Sequence, residues 1–270
     1  MKKTLIVCLI VVLVVIASAF GIGYGIGRVI KNVGNISASN GANFNYSDSK
    51  SYKVGDTEIS SKVSKITINW LNGTVKVSEY NGDALSIKDE VESGTLTEEL
   101  KLRWKRSGNE VIIQYAEANK RLDLDGLKKN IVVMIPSSWT LDELDIDVVS
   151  ADSVVSLKNI DEIDWNSVNG TLEARVDSIS SLDGDTVNGD VNLYVKKSGP
   201  KKLDLESVNS NVTISVPSDT SFILKRESIN GSLDSEFAGK VSGNKTFIVG
   251  NGEYDWDIES VNGDVTIREI

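Results

Sequence analysis

Acidic side chains are the residues of this sequence whose type and spacing could do chemistry. The segment LDGDTVNGDV, residues 182–191, places Asp183, Asp185 and Asp190 near a turn, and carboxylate oxygens are the ligands that Ca²⁺ takes in proteins. The segment LDLDG, residues 122–126, raises the same possibility. Because aspartate is also a favoured turn residue, we interpret both segments as structural and predict no metal site.

Paired acids on one face of a β-stack could also cleave glycosidic bonds, so a polysaccharide-acting enzyme is one alternative. The chain contains no histidine, which is the commonest general base and the usual partner of a catalytic serine or cysteine. Its single cysteine, Cys8, lies in an apolar N-terminal run, which excludes an intramolecular disulfide and a cysteine metal site. We therefore expect a non-enzymatic protein with no catalytic residues and no cofactor.

The charge balance restricts the partners of the protein. The formal net charge at neutral pH is −10, whereas a nucleic-acid-binding surface needs clustered lysine and arginine that replace counterions at the phosphates. We therefore predict no nucleic-acid partner.

The N-terminus predicts the cellular location. After Lys2 and Lys3, residues 5–27 include no charged side chain, and a helix of this length spans about 34 Å, enough to cross a hydrocarbon core of about 30 Å. A cleaved signal peptide is the alternative, with its site at residues 17–19. The apolar residues that continue beyond this site favour a transmembrane anchor, which would contact membrane lipid.

Charge and composition around this segment predict three regions. Lys2 and Lys3 on one side, against Arg28 and Lys31 on the other, give a slight bias toward a cytoplasmic N-terminus. We predict a cytoplasmic tip and anchor (1–31), a flexible tether rich in Asn, Ser and Gly (32–51) and an extracellular domain (52–270). The protein would then be a single-pass protein of the cell membrane.

A short phrase, Ser-Val-Asn-Gly or a near copy, recurs through the second half of the chain. The asparagines are separated by 19, 21, 21 and 32 residues, and the copies begin at Ser167, Thr186, Ser207, Ser228 and Ser260. Apolar and polar residues alternate on both sides of each copy, which is typical of strands with one buried face. We interpret the phrase as a backbone bend between two strands and the longer last interval as an inserted hairpin.

Two all-β architectures satisfy this spacing. In a right-handed β-solenoid, each repeat of about 20 residues is one coil, and the asparagines stack from coil to coil. In an antiparallel meander or sandwich, each Asn-Gly is a hairpin turn. The near-constant interval favours the solenoid.

Upstream segments show the same features more weakly. WLNGTVKV (70–77) is an outlying copy, residues 107–109 read as a hairpin turn, and DVVSADSVVSL (147–157) is a degenerate repeat with Asp152 in the place of glycine. The regular array is expected to start near residue 140, and the part from about Tyr52 is expected to cap it, since solenoids need terminal units that cover the core.

The positions of two further residue types lead to expectations about exposure. Trp165 and Trp256 follow the inward alternation and are predicted to lie in the core, whereas Trp139 is the most plausible exposed tryptophan. The acids of DELDID (142–147) alternate and are expected to face solvent.

The segments VVMIP, SVNGTLEARV, TVNGDVNLYV and SVNGDVTIRE together resemble the bacterial putative-adhesin family, a domain of unknown function with β-strand repeats. The resemblance covers roughly residues 52–270 and includes membrane-anchored members found near envelope-stress regulators. It implies a β-helical outer-surface domain and supplies no catalytic residues. Ser210 departs from the repeated phrase by replacing its glycine.

These expectations lead to three functional hypotheses. The first is a non-enzymatic, membrane-anchored cell-surface protein that presents a β-solenoid for envelope or adhesive contacts. The second is an accessory or sensory component of an envelope-stress signalling system, and the third is the polysaccharide-acting enzyme. The expected partners are membrane lipid, through the N-terminal helix, and an envelope polymer or a membrane protein.

Overall fold

The computed structural model describes residues 35–36, 41–243 and 245–270, and this part of the chain contains β-strands and two short 3₁₀ helices, Ser49–Ser51 and Glu98–Leu100. The predicted anchor region (1–31), with its apolar run and Cys8, lies outside the described residues. Within the described residues, no helix is long and apolar enough to span a membrane.

The strands of the N-terminal part, in chain order, are β1 (Asn35–Ile36), β2 (Gly41–Asn43), β3 (Lys53–Val54), β4 (Thr57–Ile59), β5 (Lys65–Tyr80), β6 (Leu85–Ser93), β7 (Arg103–Ser107), β8 (Glu110–Gln114), β9 (Arg121–Asp123) and β10 (Lys128–Pro136). Those of the repeat region are β11 (Leu141–Asn169), β12 (Leu172–Asn188), β13 (Val191–Ser198), β14 (Lys202–Asn209), β15 (Val212–Val216), β16 (Phe222–Asn230), β17 (Leu233–Ser235), β18 (Gly239–Ser242), β19 (Thr246–Val249), β20 (Tyr254–Asn262) and β21 (Val265–Glu269).

The repeats stack in parallel and in register. β11 pairs with β12 so that Asn169 lies opposite Asn188, and β12 pairs with β14 so that Asn188 lies opposite Asn209. Each repeat is therefore one coil, and the antiparallel alternative is wrong for this region. The β-solenoid is confirmed, and its consecutive coils begin with β11 at Leu141, but the stack starts earlier than predicted, because β5 pairs with β11 in the same parallel register.

Each coil contributes one strand to each of two sheets, which meet at the repeated phrase. Sheet A consists of residues 162–169 of β11, residues 181–188 of β12, β14, β20 and β16, and sheet B of residues 153–157 of β11, residues 172–178 of β12, β13, β15, β21 and β17. The inward side chains of both sheets form one apolar core. Trp165 and Trp256 are fully buried in it, as predicted, and the Trp165 indole donates to Ser153 Oγ of sheet B at 3.1 Å.

At the bend between the sheets, Gly189 lies too close to the neighbouring coil to carry a side chain. Gly189 has φ 158°, and a Cβ added there would overlap the carbonyl oxygen of Gly170 in the neighbouring coil. The degenerate repeat was predicted to have Asp152 in the glycine position, but the register places Ala151 there, opposite Gly73. Asp152 instead takes the following position, where its carboxylate accepts from the Thr171 backbone N–H at 2.9 Å.

The asparagines of the phrase form a continuous ladder along the stack. Asn188 donates to Asn169 at 3.0 Å, Asn209 to Asn188 at 2.9 Å, Asn262 to Asn209 at 2.8 Å and Asn230 to Asn262 at 2.9 Å. The predicted stacking of asparagines is thus confirmed, and each inner amide both donates and accepts.

The order of the last two coils in space differs from their order in the chain. β20 pairs with β14 on one side and with β16 on the other, so the coil of residues 254–269 lies between those of residues 202–216 and 222–235. The predicted hairpin is present as β18 and β19, and β19 pairs antiparallel with β16. In the outermost coil Arg226 aligns with Ile258, so a cation ends this row of apolar core residues.

The N-terminal part covers the other end of the stack. β5 runs parallel to β11, with Asn72 opposite Ser150, and β7 and β8 form the hairpin predicted around residues 107–109. A fully buried lysine, Lys129, holds this part together by donating to Asp89 Oδ2 at 2.8 Å and to the Leu100 and Tyr115 carbonyls at 2.6 and 2.7 Å. Burial lowers the pKa of the Lys129 ammonium to about 8.

The predicted tether, residues 32–51, needs a correction at its C-terminal end. β2 pairs with β9, and Phe44 is 1% exposed and stacks on Tyr115 with 5.5 Å between ring centres. The segment is rich in Asn, Ser and Gly, so its composition predicted a flexible tether. A single aromatic residue, Phe44, is nevertheless enough to attach it to the domain. The folded domain therefore includes residues from Gly41 onward.

Candidate functional site

The outward side of sheet A carries carboxylates at equivalent positions of successive coils. Asp164, Asp183, Asp204 and Asp257 lie opposite one another in one row, and Asp185, Glu206 and Glu259 lie in the next row. Neighbouring strands in a sheet are about 4.8 Å apart, so these like charges lie close together. We call these seven residues the acidic face.

Burial and like charges change the protonation of this face. Burial, with the added repulsion of Asp185 and Glu259, raises the pKa of Glu206 to about 7. The pKa values of Asp183 and Asp257 are raised by burial first and by neighbouring carboxylates second. Lys202, which pairs with Asp204 at 3.0 Å, offsets only part of the repulsion. The acidic face therefore retains protons that separate carboxylates would lose.

The three acids considered as calcium ligands do not converge. Asp183 and Asp185 lie on the acidic face, but Asp190 lies beyond the bend, where its Oδ1 accepts from the Asn211 backbone N–H at 2.8 Å. In LDLDG, Asp123 accepts from the Asp125 N–H at 3.1 Å within its own turn. In the described part of the chain, no group of three or more acidic or cysteine side chains could hold a metal ion.

The acids of DELDID were expected to face solvent, and two of them are buried. Asp145 is 4% exposed and pairs with Lys65 at 2.9 Å, while Asp147 is fully buried and accepts from Asn166 Nδ2 at 3.1 Å. Their alternation was interpreted correctly as pointing out of the core, but polar side chains of the adjacent strands cover them. Trp139 is partly buried and packs against the core rather than standing free.

The outward side of sheet B has a different surface, formed by one row of side chains on four consecutive coils. Ser156, Arg175, Tyr194 and Ser215 lie opposite one another in register. The Arg175 guanidinium lies 5.8 Å from the centre of the Tyr194 ring, so these two long side chains form a ridge between two short serines.

A trough lies on each side of this ridge. The first, of about 340 Å³, extends over Ser156, Lys158 and Lys196, and the second, of about 310 Å³, extends over Asn192, Thr213 and Ser215. Both are lined by Arg175 and Tyr194. We call the two troughs with their shared ridge the polar groove.

Charges in the polar groove are mixed instead of alike. Arg175 pairs with Glu173 at 2.8 Å, and Lys158 lies 3.5 Å from Glu79. Lys196 is exposed and has no ion-pair partner among the described residues. Sequence reasoning missed this groove because its residues lie one coil apart, and only the register brings them into one row.

Comparison with solved structures gives distant similarities. A putative cell adhesion protein from Clostridium sporogenes ATCC 15579 is 13% identical, with a TM-score of 0.48, over 81% of this chain and 100% of that chain. A putative adhesin from Bacteroides fragilis NCTC 9343 is 12% identical, with a TM-score of 0.37, over 82% of this chain and 98% of that one. No curated protein matches the chain.

Comparison with family models is more specific, because it falls on the stacked repeats themselves. Residues 164–268, which include the strands of both the acidic face and most of the polar groove, match the model of the Toastrack DUF4097 family. This match agrees with the resemblance to the putative-adhesin family that the repeated phrases indicated. Residues 164–268 of this chain are therefore similar to the Toastrack DUF4097 family.

Proposed function

We propose that the protein is a non-enzymatic, membrane-anchored cell-surface protein that presents its β-solenoid for envelope or adhesive contacts. The observation that carries this proposal is the in-register display of outward side chains on successive coils of both sheets. Parallel pairing and the asparagine ladder hold each row at a fixed spacing, and solenoids generally use such extended surfaces for binding.

The side chains of both outward surfaces support a binding role over a catalytic one. The acidic face consists of like carboxylates in rows, and the chain has no histidine that could serve as a general base beside them. The polar groove combines cations, an aromatic ring and hydroxyl groups, which together recognise ligands without reacting with them.

The proposed anchoring rests on the apolar run of residues 5–27 and is tested on the full chain in cells. We expect the chain to stay in the membrane fraction after an alkaline wash and to be cleaved by protease added to intact cells. The control is the double variant Val12→Arg, Val15→Arg, which interrupts the apolar run and should leave the membrane fraction. Full protection from external protease would contradict the surface location.

The proposed contact is tested separately with isolated envelopes. Purified full-length chain should be retained by envelope preparations in a saturable way, and it should be released by excess unlabelled chain. Equal recovery in the unbound fraction with and without envelopes would contradict the adhesive role.

A further inference from the structure

We propose that the polar groove of sheet B binds an acidic glycan chain in which charged and neutral sugars alternate, with the chain running along the stack axis. This inference rests on the proposed function and names the ligand class of its contact surface. It follows from three features of the groove, which are its ridge, the charge of its first trough and the composition of its second trough.

The ridge supplies a ring face for a sugar. Tyr194 is half-buried, and the Arg175 guanidinium lies over one face of its ring, 5.8 Å from the ring centre, so the opposite face is the one proposed to meet a sugar. A tyrosine fixed in this way offers a large amphipathic surface at low entropic cost, and neighbouring serine and asparagine supply adaptable hydrogen bonds. Pyranose rings present C–H groups on one face and hydroxyls at the edge, which match such a surface.

The first trough supplies positive charge. Lys158, Arg175 and Lys196 line it together with Glu79 and Asp177. Glu79 also accepts from the Lys158 backbone N–H at 2.7 Å, and Asp177 pairs with Lys197 at 2.7 Å. Both carboxylates are thereby engaged, whereas the Lys196 ammonium forms no ion pair in the described part of the chain, although it lies near enough to help lower the pKa of Asp177. A carboxylate on the ligand completes this trough.

The second trough has little positive charge. Asn192, Thr213 and Ser215 offer amide and hydroxyl groups, and its one carboxylate, Glu173, is bound by Arg175 with contacts of 3.0 and 2.8 Å. Such a surface fits a neutral sugar. The two troughs lie side by side across coils spaced about 4.8 Å apart, so a linear chain can occupy both at once.

The test measures binding of the full-length chain to hyaluronan oligosaccharides, in which a uronic acid alternates with a neutral amino sugar. Dextran provides sugar rings without charge, and poly-glutamate provides charge without sugar rings. We expect saturable binding of hyaluronan that weakens as salt increases, and at least tenfold weaker binding of dextran and poly-glutamate. Equal binding of hyaluronan and poly-glutamate would overturn the proposal, since the ring would then contribute nothing.

Variants locate the binding on the molecule. Tyr194→Ala and Lys196→Ala should each weaken hyaluronan binding about tenfold, while Lys225→Ala, on the outward side of sheet A, should leave it unchanged. All three positions are on the surface, and thermal melts check that the variants are folded. Unchanged binding by Tyr194→Ala would overturn the assignment to this groove.

Envelope retention separates this inference from the function on which it rests. If Tyr194→Ala is retained by envelopes as well as the parent chain, the groove proposal fails and the adhesive role stands. If the parent chain itself is not retained, the adhesive role fails, and hyaluronan binding then decides the groove proposal alone.

Discussion

The acidic face of sheet A and the polar groove of sheet B are built on the same coils, but the first carries charges of one sign and the second carries charges of both signs. In sheet A, repeats place acids at equivalent positions, so Asp183 meets Asp204 and Asp204 meets Asp257. In sheet B, the equivalent positions change from serine to arginine to tyrosine along the row. Parallel in-register stacking therefore places like charges side by side where successive repeats have the same type of residue. Where the residue type changes from repeat to repeat, the same stacking creates a mixed surface.

The largest effect is expected from a change at the bend that holds the two sheets together. Replacing Gly189 with alanine would place a Cβ on the Gly170 carbonyl oxygen and strain a backbone at φ 158°. We expect the free energy of unfolding to fall by about 3 kcal/mol, measured by denaturant melts. Both surfaces should be affected together, because both depend on this bend.

Gly108→Ala is the matched control, since Gly108 also has positive φ, 62°, but no atom lies within 4 Å of an added Cβ. It should cost about 1 kcal/mol. Equal losses for the two variants would show that backbone conformation, and not contact between coils, requires glycine at the bend.

A smaller effect is expected where the asparagine ladder sets the register of both surfaces. Asn209→Ala removes one hydrogen bond given to Asn188 and one accepted from Asn262, and we expect a loss of about 1 to 2 kcal/mol in the free energy of unfolding.

Asn169→Ala is the control, because Asn169 accepts only the bond from Asn188 in this ladder. It should cost about half as much. A larger loss at Asn169 than at Asn209 would contradict the additive ladder.

The smallest effect on the free energy of unfolding is expected from the charges of the acidic face. The folded pKa of Glu206, about 7, lies above its ordinary value of 4.5, so the folded state binds more protons between these values. Stability should therefore rise as pH falls from about 7 toward 4.5. Because Glu206 is only partly buried, solvent screening limits its share to about 1 kcal/mol or less.

Comparison of two variants in thermal melts measures this share. Glu206→Gln should be more stable than the parent at pH 7.5 and should lose part of the gain on acidification. Glu173→Gln, on sheet B, should keep the acid-side gain of the parent. Added salt should reduce the difference between the parent and Glu206→Gln, and a parent stability that falls between pH 7 and 5 in step with Glu206→Gln would contradict the interpretation.

Local sequence patterns predict the coils but not which coils touch. The spacing of Asn169, Asn188 and Asn209 predicted parallel stacking, and alternation placed Trp165 and Trp256 in the core. The position of residues 254–269 between two earlier coils was not predictable, because every coil has the same inward apolar pattern and fits any neighbour. Phe44 was missed for a related reason, since a single buried aromatic residue gives no periodic signal.

The two surfaces were predictable to different degrees. Asp183 and Asp185 were interpreted as turn residues, whereas they lie in rows on the acidic face. The raised pKa of Glu206 depends first on its burial and then on Asp185 and Glu259, which come from other coils. The polar groove combines residues that are 19 to 21 positions apart in the sequence. Its troughs can be recognised only when the register is known, because only the register shows which serine lies beside Arg175.

The placement of residues 254–269 between the coils of 202–216 and 222–235 also constrains the order of assembly. On a ribosome, the segment 222–235 emerges before the strand that it pairs with in parallel, so it cannot dock in its final place as it appears. The coil of residues 222–235 therefore cannot pack on the stack until β20 and β21 have been synthesised, and these last two coils must then form in one cooperative step. The distal coils therefore fold together, whereas the coils from residue 141 to residue 216 can form one after another during synthesis.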